Sequence, residues 1–223
     1  MPVDADVRAT LPLALALMLP VALAQAQVPP HTDDASRLPE SNAMPDDDAS
    51  RVAVDGESAT LDAGFDYDAA KQTIAVRYRL RNTGQAPIAV FDRGNRQSVL
   101  AKRQVLGEIA PPRFEETDGD TTLSHVATAL PKPAPTVPPV PLAIQVAAGA
   151  EASGAFRFTL GSKAPKRLRW CLGIAPFDAG DFSEPAQAAG VEVWRASFAV
   201  VDRQQILCTP WFDLARGEFE KAR

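Results

Sequence analysis

Short segments in which apolar and polar residues alternate make up most of the chain after residue 51. The clearest segment, 73–80, reads TIAVRYRL. Alternation with a period of two residues is typical of a strand that buries one face. The turn-forming residues Asn82 and Gly84 follow, and the more apolar segment 88–91 predicts a second strand close to the first.

The same alternation predicts strands along the rest of the chain. They cover residues 58–65, 98–106, 121–127, 142–146, 155–160, 167–174, 191–201 and 206–211. Only residues 212–221, which are few and rich in charge, suggest a helix. Many short strands with turns between them are typical of a sandwich or a barrel, so we expect an all-β fold.

The first fifty residues follow a different pattern. Residues 11–24 read LPLALALMLPVALA without a charge, Arg8 precedes them, and small residues follow at 22–26. This order predicts a signal peptide over residues 1–26 and therefore an exported protein, periplasmic or secreted. The apolar run is shorter than the roughly 20 residues that span a bilayer, and no later run is long enough, so we expect no transmembrane segment.

The segment after the predicted signal peptide is dominated by Pro, Asp and Ser. Residues 27–50 contain almost no large apolar side chains, so they cannot bury enough surface to offset the entropy lost on ordering. We predict a disordered linker there. Residues 51–223 are then enough for a single β-sandwich domain with a sizeable core.

Charge and cysteine content narrow the function classes. The chain has 223 residues and a formal net charge of −5, which gives no general attraction to nucleic acid. Its two cysteines, Cys171 and Cys208, predict one disulfide in an oxidising compartment. The alternative is a pair of buried free thiols, because a free cysteine behaves as a small apolar residue.

Histidines are too few to suggest common catalytic or metal sites. The two are His31, in the predicted linker, and His125, in a predicted strand, where a structural role is expected. A transition-metal site needs three or four converging ligands, and no nucleophile elbow, dinucleotide motif or phosphate-binding loop is present. We therefore expect no cofactor and no enzymatic activity. An enzyme that uses carboxylates stays an alternative, because Asp and Glu are plentiful.

The densest acidic segment of the predicted domain is 115–120, which reads EETDGD. A solvated turn is the expected structure. A weak calcium site formed by Glu116, Asp118 and Asp120 is the alternative, since hard cations bind clustered carboxylates.

Arginines alternate with apolar residues on several predicted strands. If these strands are neighbours in one sheet, its outer face carries a basic stripe. Such a stripe could face an anionic partner. Alternatively, the arginines pair with Asp and Glu on adjacent strands and protect the sheet against edge association. The residues are Arg77, Arg79, Arg81, Arg157, Arg167 and Arg169.

Residues 131–141 read PKPAPTVPPVP, which predicts an extended, polyproline-like segment. One interpretation is a stiff crossover between the two sheets. The other is a docking segment for an aromatic groove of a partner. The prolines considered for that contact are Pro133, Pro135, Pro138 and Pro139.

A family resemblance adds to the fold prediction. The pattern Tyr78-x-Leu80-x-Asn82-x-Gly84-x-x-Pro87-Ile88-x-Val90-Phe91 resembles the second-strand region of bacterial immunoglobulin-like modules, including proteinase-inhibitor domains of the BsuPI type. Residues 146–150 read VAAGA and precede the strand that contains Phe156. They are similar to a second pattern of such modules, in which an apolar residue is followed by Pro-Gly or Ala-Gly and then by a strand. The resemblance implies an immunoglobulin-like antiparallel β-sandwich and supplies no catalytic residues.

The functional expectation is an exported, non-catalytic binding or accessory module of the bacterial envelope. Its partner would be an envelope or extracellular protein, or an acidic polysaccharide, contacted through the proline-rich segment and the arginine-bearing face. The alternatives are a proteinase inhibitor that acts through the proline-rich segment and the carboxylate-dependent enzyme.

Overall fold

Two β-sheets pack across one hydrophobic core in the computed structural model of the protein. The structure describes residues 48–161 and 164–221. The predicted signal peptide and the predicted linker up to residue 47 lie outside the described residues. Asp48–Ser50, at the end of the predicted linker, form a 3-10 turn in which Ser50 is buried. No helix in the described part of the chain is long and apolar enough to cross a membrane.

Fourteen strands and one short α-helix follow one another along the described residues. The helix, α1, spans Arg96–Leu100 between β4 and β5. The strands are β1 (Arg51–Asp55), β2 (Ala59–Asp68), β3 (Thr73–Asn82), β4 (Ile88–Val90), β5 (Arg113–Thr117), β6 (Asp120–His125), β7 (Leu142–Val146), β8 (Glu151–Thr159), β9 (Arg167–Pro176), β10 (Phe182–Ala188), β11 (Val191–Ala196), β12 (Gln205–Cys208), β13 (Phe212–Asp213) and β14 (Glu218–Phe219).

The strands form a smaller and a larger sheet. The smaller sheet has the order β1-β2-β3-β8, and all its strands are antiparallel. The larger sheet has the order β10-β11-β7-β4-β9-β13-β14, with β12 and β6 also paired to β9 and β5 paired to β6. The β6–β9 pair is parallel. The predicted all-β fold is confirmed as a two-sheet sandwich.

The core lies between the sheets and explains the alternation in the sequence. On β3, Ile74, Val76, Tyr78 and Leu80 all point into it, and Val76 lies opposite Phe156 of β8. Trp170 of β9 is fully buried on the facing side. Burial of each large apolar side chain contributes roughly 1.5–3 kcal/mol, so this shared core holds the two sheets together.

Strands β4 and β9 are buried on both faces. Val90 and Ile174 belong to the core between the sheets, whereas Ala89 and Ala175 pack in a second cluster on the other face of the larger sheet. Phe177 and Phe182 stack in that cluster with ring centroids 4.4 Å apart. Burial on both sides is why segment 88–91 reads as a continuous apolar run instead of an alternating one.

The predicted strand at 98–106 is wrong. Helix α1 begins here because the side chain of Asn95 caps it, accepting a hydrogen bond from the backbone N–H of Ser98 at 2.9 Å. Turns follow the helix up to Gly107. The segment has no strict two-residue alternation, and the capping residue was the local signal for a helix.

The predicted helix at 212–221 is also wrong. The chain forms a small hairpin there, in which Phe212 of β13 lies opposite Phe219 of β14. Both rings pack on Phe65 of β2, at centroid distances of 5.4 and 4.8 Å. Tertiary aromatic contacts therefore override the helical tendency of the charged residues.

Other strand boundaries differ from the prediction. Strand β11 ends at Ala196 and a 3-10 turn covers Phe198–Asp202, so the predicted strand 191–201 is too long. Strands β1, β5 and β10 were not predicted. All of β5 is exposed and β10 contains Pro185, so neither carries the apolar alternation of a half-buried strand.

The predicted disulfide is present. Cys171 of β9 and Cys208 of β12 lie directly opposite each other in neighbouring antiparallel strands and are bonded. The bond closes a segment with a sequence separation of 37 residues. It fixes the C-terminal strands on the central strand of the larger sheet.

Candidate functional site

A cleft of about 780 Å³ opens beside helix α1. It is lined by the residues after β4, by α1 and the turns that follow it, by residues 110–113, by the end of β6 with residues 126–129, and by the proline-rich segment. Its lining residues are Phe91, Gly94, Asn95, Gln97, Ser98, Arg103, Gln104, Ala110, Pro111, Arg113, Ser124, His125, Val126, Thr128, Ala129, Pro131, Pro139 and Pro141. The volume is within the range of ligand-binding clefts.

The proline-rich segment forms one wall of this cleft. It connects β6 with β7, which both belong to the larger sheet, so the predicted crossover between the sheets is wrong. The backbone carbonyls of Val137 and Val140 accept hydrogen bonds from the side chain of Gln97 and the backbone N–H of Arg96, each at 2.9 Å. These bonds hold the segment against α1.

The four prolines named from the sequence differ in their exposure. Pro139 is half-buried and lines the cleft, and Pro138, also half-buried, lies next to it in the chain. Pro135 is half-buried and Pro133 is exposed, and neither lines the cleft. The structure therefore places one of the four in the candidate site.

Two arginines give the cleft a positive charge. Arg103 and Arg113 are both exposed and line it, and no Asp or Glu does. Neither guanidinium has an ion-pair partner within the described residues. The cleft is therefore a locally basic region of an acidic chain. Sequence reasoning missed both residues, because Arg103 lies in segment 98–106, which was wrongly predicted as a strand, and Arg113 lies in a segment that was left unassigned.

His125 lies at the inner end of β6, and its ring is fully engaged. Trp170 Nε1 donates a hydrogen bond to His125 Nδ1 at 3.0 Å, and His125 Nε2 is 2.7 Å from the carbonyl oxygen of Ala110. This pattern requires the neutral ring with its proton on Nε2. Burial lowers the pKa of His125 below its ordinary value of 6.5. The arrangement agrees with the structural role expected from the sequence.

A buried polar network joins Tyr78 of β3 to Asp92 and Arg93, directly after β4. Tyr78 donates its hydroxyl hydrogen to Asp92 Oδ2, and Arg93 Nη1 is 3.4 Å from the same oxygen. Burial, and then the charge of Asp92, raise the pKa of Tyr78 well above its usual range. Sequence reasoning missed this network. The available signal was a charged pair directly after an apolar strand.

The six arginines named from the sequence do not form one stripe. Arg77, Arg79, Arg81 and Arg157 lie on β3 and β8 of the smaller sheet, whereas Arg167 and Arg169 lie on β9 of the larger sheet. The single basic stripe is therefore wrong.

The arginines of the two sheets also have different partners. Arg79 Nε is 3.7 Å from Glu151 Oε2. Arg167 pairs with Asp120 and Glu220, and the guanidinium groups of Arg167 and Arg169 lie 5.1 and 4.5 Å from the ring centroid of Trp211. Pairing with carboxylates thus accounts for Arg79 and Arg167.

The acidic segment is the turn of a β5–β6 hairpin. Asp118 and Gly119 have φ values of 53° and 84°, as a tight two-residue turn requires. Asp120 pairs with Arg167, whose hydrogen bond lowers the pKa of Asp120 below its usual range. Among the described residues, no group of three or more His, Cys, Asp or Glu side chains could hold a metal ion. The calcium site at Glu116, Asp118 and Asp120 thus gains no support.

Comparisons with known proteins return no relative. No family model matches the chain, and no curated protein and no solved structure matches it. The fold defines the protein as a two-sheet all-β sandwich. Within it, the basic cleft beside α1 is the candidate functional site.

Proposed function

We propose that the protein is an exported, non-catalytic binding module of the bacterial envelope, and that its cleft holds an extended acidic segment of a partner protein. The observation that carries the proposal is the charge of the cleft. Arg103 and Arg113 line it without a carboxylate partner, although the chain as a whole has a net charge of −5. Guanidinium groups left free in this way favour carboxylate ligands.

The mixture of surfaces in the cleft favours a protein segment over a polysaccharide. Prolines, alanines and Phe91 contribute apolar surface beside the two arginines and several hydroxyl and amide groups. A peptide that carries both acidic and apolar side chains matches this mixture, whereas an acidic polysaccharide presents polar groups throughout. The proline-rich wall, held by hydrogen bonds to α1, limits the entropy lost on binding.

Binding without catalysis fits the titratable groups of the cleft. The lining groups that can ionise are the two arginines and His125. A general base needs a free nitrogen, but both nitrogens of His125 are hydrogen-bonded to Trp170 and Ala110. The arginines hold a charge and do not exchange protons near neutral pH.

Export is supported by two observations of different kinds. The Cys171–Cys208 disulfide is typical of oxidising compartments. The sequence of residues 1–26 has the order of a signal peptide. These two features together support the proposed periplasmic or secreted location.

Fluorescence anisotropy with the purified protein tests the proposal. The probe is a labelled peptide of alternating glutamate and valine, and its control replaces glutamate by glutamine. We expect saturable binding of the acidic peptide and no saturable binding of the glutamine peptide. Arg103→Gln and Arg113→Gln should each weaken it roughly 3- to 10-fold, with a steep loss in added salt.

The matched controls are Arg79→Gln and Arg81→Gln, which remove arginines from the smaller sheet outside the cleft. Their affinity for the peptide should equal that of the unchanged protein. If these controls lose binding while the cleft variants keep it, the arginine-bearing sheet face is the site and the cleft proposal is wrong. Binding of oligogalacturonate but not of the peptide overturns the choice of a protein partner.

A further inference from the structure

An apolar groove of about 300 Å³ lies between helix α1 and the β10–β11 edge of the larger sheet. Its apolar lining includes Val99 and Leu100 of α1, Leu142 at the start of β7, Pro185 of β10 and Val193 of β11. The groove shares no lining residue with the cleft described above. It is therefore a separate concave surface that the cleft proposal does not use.

Helix α1 lies between the groove and the cleft. Arg96, Val99 and Leu100 line the groove, and their spacing of three and four residues places them on one helical face. Gln97 and Ser98 line the cleft from the opposite face. No residue of α1 is buried, and Leu100 is 54% exposed. Apolar side chains grouped around one groove and left open to solvent mark a surface for an apolar ligand.

Strand β10 is irregular where it borders the groove. Its register with β11 shifts between Ser183 and Ala186, and Glu184 has a φ of 48°. Pro185 follows and has no backbone N–H to donate. A bulge of this kind interrupts the free edge of a sheet, so an added strand could not pair continuously along it. The groove is therefore suited to a side chain and not to strand addition.

The charges at the groove favour an acidic ligand. Arg195 is paired with Glu184, so these two charges offset each other. Arg96 is half-buried and has no ion-pair partner in the part of the chain that the structure describes. One positive charge is left beside the apolar lining. Since Arg103 leaves a positive charge in the cleft as well, the same acidic segment is complementary to both sides of α1.

We propose that the groove holds an aliphatic side chain of the acidic partner segment that occupies the cleft. This inference rests on the proposed function and adds a specificity pocket to it. A helix with its side chains is about 10–12 Å wide, and an extended chain advances about 3.3 Å per residue. The segment that crosses α1 therefore needs about three or four residues between the acidic positions in the cleft and the aliphatic residue in the groove.

Fluorescence anisotropy with a set of labelled peptides tests this spacing. Each peptide has a block of alternating glutamate and serine, followed or preceded by a serine spacer. One leucine stands either one or four residues from the block, and the reference peptide has serine at that position. The leucine four residues away, on one side of the block, should bind roughly 5- to 20-fold tighter than its serine reference. The leucine one residue away should gain less than twofold.

Two variants remove the groove in different ways. Leu100→Ser takes away an exposed part of its wall, and Ala186→Phe fills it from β10. In both, the ratio of leucine to serine affinity should fall towards one while the serine peptide binds as before. Ile206→Ser is the matched control, because Ile206 is 51% exposed on β12 and does not line the groove. Arg103→Gln should weaken both peptides equally and keep the ratio.

The possible outcomes separate this inference from the proposed function. If the acidic peptides bind but leucine gives no gain at either spacing, the groove inference is wrong and the cleft proposal stands. An equal gain at both spacings overturns the path across α1, and a gain that persists in both groove variants places the leucine elsewhere. If none of the acidic peptides binds, both proposals are wrong.

Discussion

Asn82 and His125 are buried polar side chains that connect distant parts of the fold. The Nδ2 group of Asn82 donates to the carbonyl oxygens of Ala86, Val146 and Ala147, at 2.9–3.1 Å. It thereby ties the end of β3, in the smaller sheet, to the end of β7 in the larger one. His125 connects Trp170 of β9 to the carbonyl of Ala110.

Replacing Asn82 by alanine should lower the free energy of unfolding by about 2–4 kcal/mol, because it removes the two N–H groups that three buried or half-buried carbonyl oxygens share. Urea denaturation measures this change. Asn95→Ala is the matched control: it removes the cap of the five-residue helix α1 and should cost only about 1 kcal/mol. Equal losses in the two variants would contradict the special role of Asn82.

His125 predicts a pH dependence of stability. The pKa of His125 in the folded protein is below the ordinary value of 6.5. As the pH falls through 6.5, the unfolded chain therefore binds more protons at this residue than the folded protein does. The contribution to stability is therefore fully present above pH 6.5 and is lost below it. Denaturant unfolding between about pH 5 and 8 should show this loss.

His125→Gln should remove that pH-dependent component, whereas His31→Gln, in the segment predicted to be a linker, should preserve it. A pH profile that His125→Gln leaves unchanged would show that other groups cause the dependence.

At the scale of elements, the strands that build the core between the sheets were predictable because each buries one face. The alternation in β3 and β8, and the apolar run of β4, follow directly from their burial. The sequence did not predict β5 or the β13–β14 hairpin. Strand β5 has no buried face, and the hairpin depends on the contact of Phe212 and Phe219 with Phe65, which is distant in sequence.

The candidate site was less predictable than the fold. The proline-rich segment was recognised as a possible contact surface, but Arg103 and Arg113 lie in a region predicted as strand or left unassigned. Their convergence depends on α1, on the turn before β5 and on the proline-rich wall. None of these has a periodic pattern that reveals which parts of the chain meet.

Strands β9 and β12 depend on each other through the disulfide. Replacing both Cys171 and Cys208 by alanine should lower the free energy of unfolding by roughly 3–4 kcal/mol, because the bond restricts the unfolded chain over its 37-residue separation. Denaturation of this variant and of the reduced native protein gives the measurement. A change below about 1 kcal/mol in both would mean that β-pairing alone fixes these strands.

At the scale of the whole molecule, two cavities open next to the short connection from β4 to α1. The cleft beside α1 presents Arg103 and Arg113, and a smaller cavity beside β8 has Arg93 in its lining. The short connection from β4 to α1 borders both: Phe91 and Gly94 line the cleft, and Arg93 lines the cavity. The core between the two sheets gives the proposed binding cleft a rigid support.

Mapping a bound acidic peptide onto the protein by nuclear magnetic resonance tests the central claim most directly. The isotope-labelled protein is titrated with the peptide of alternating glutamate and valine, and its backbone amide signals are followed. We expect saturable shifts concentrated at Gln97, Arg103, Arg113, Ser124 and Thr128, which line the cleft. Shifts concentrated on β3 and β8, around Arg79 and Arg157, or no saturable shifts at all, would contradict the account.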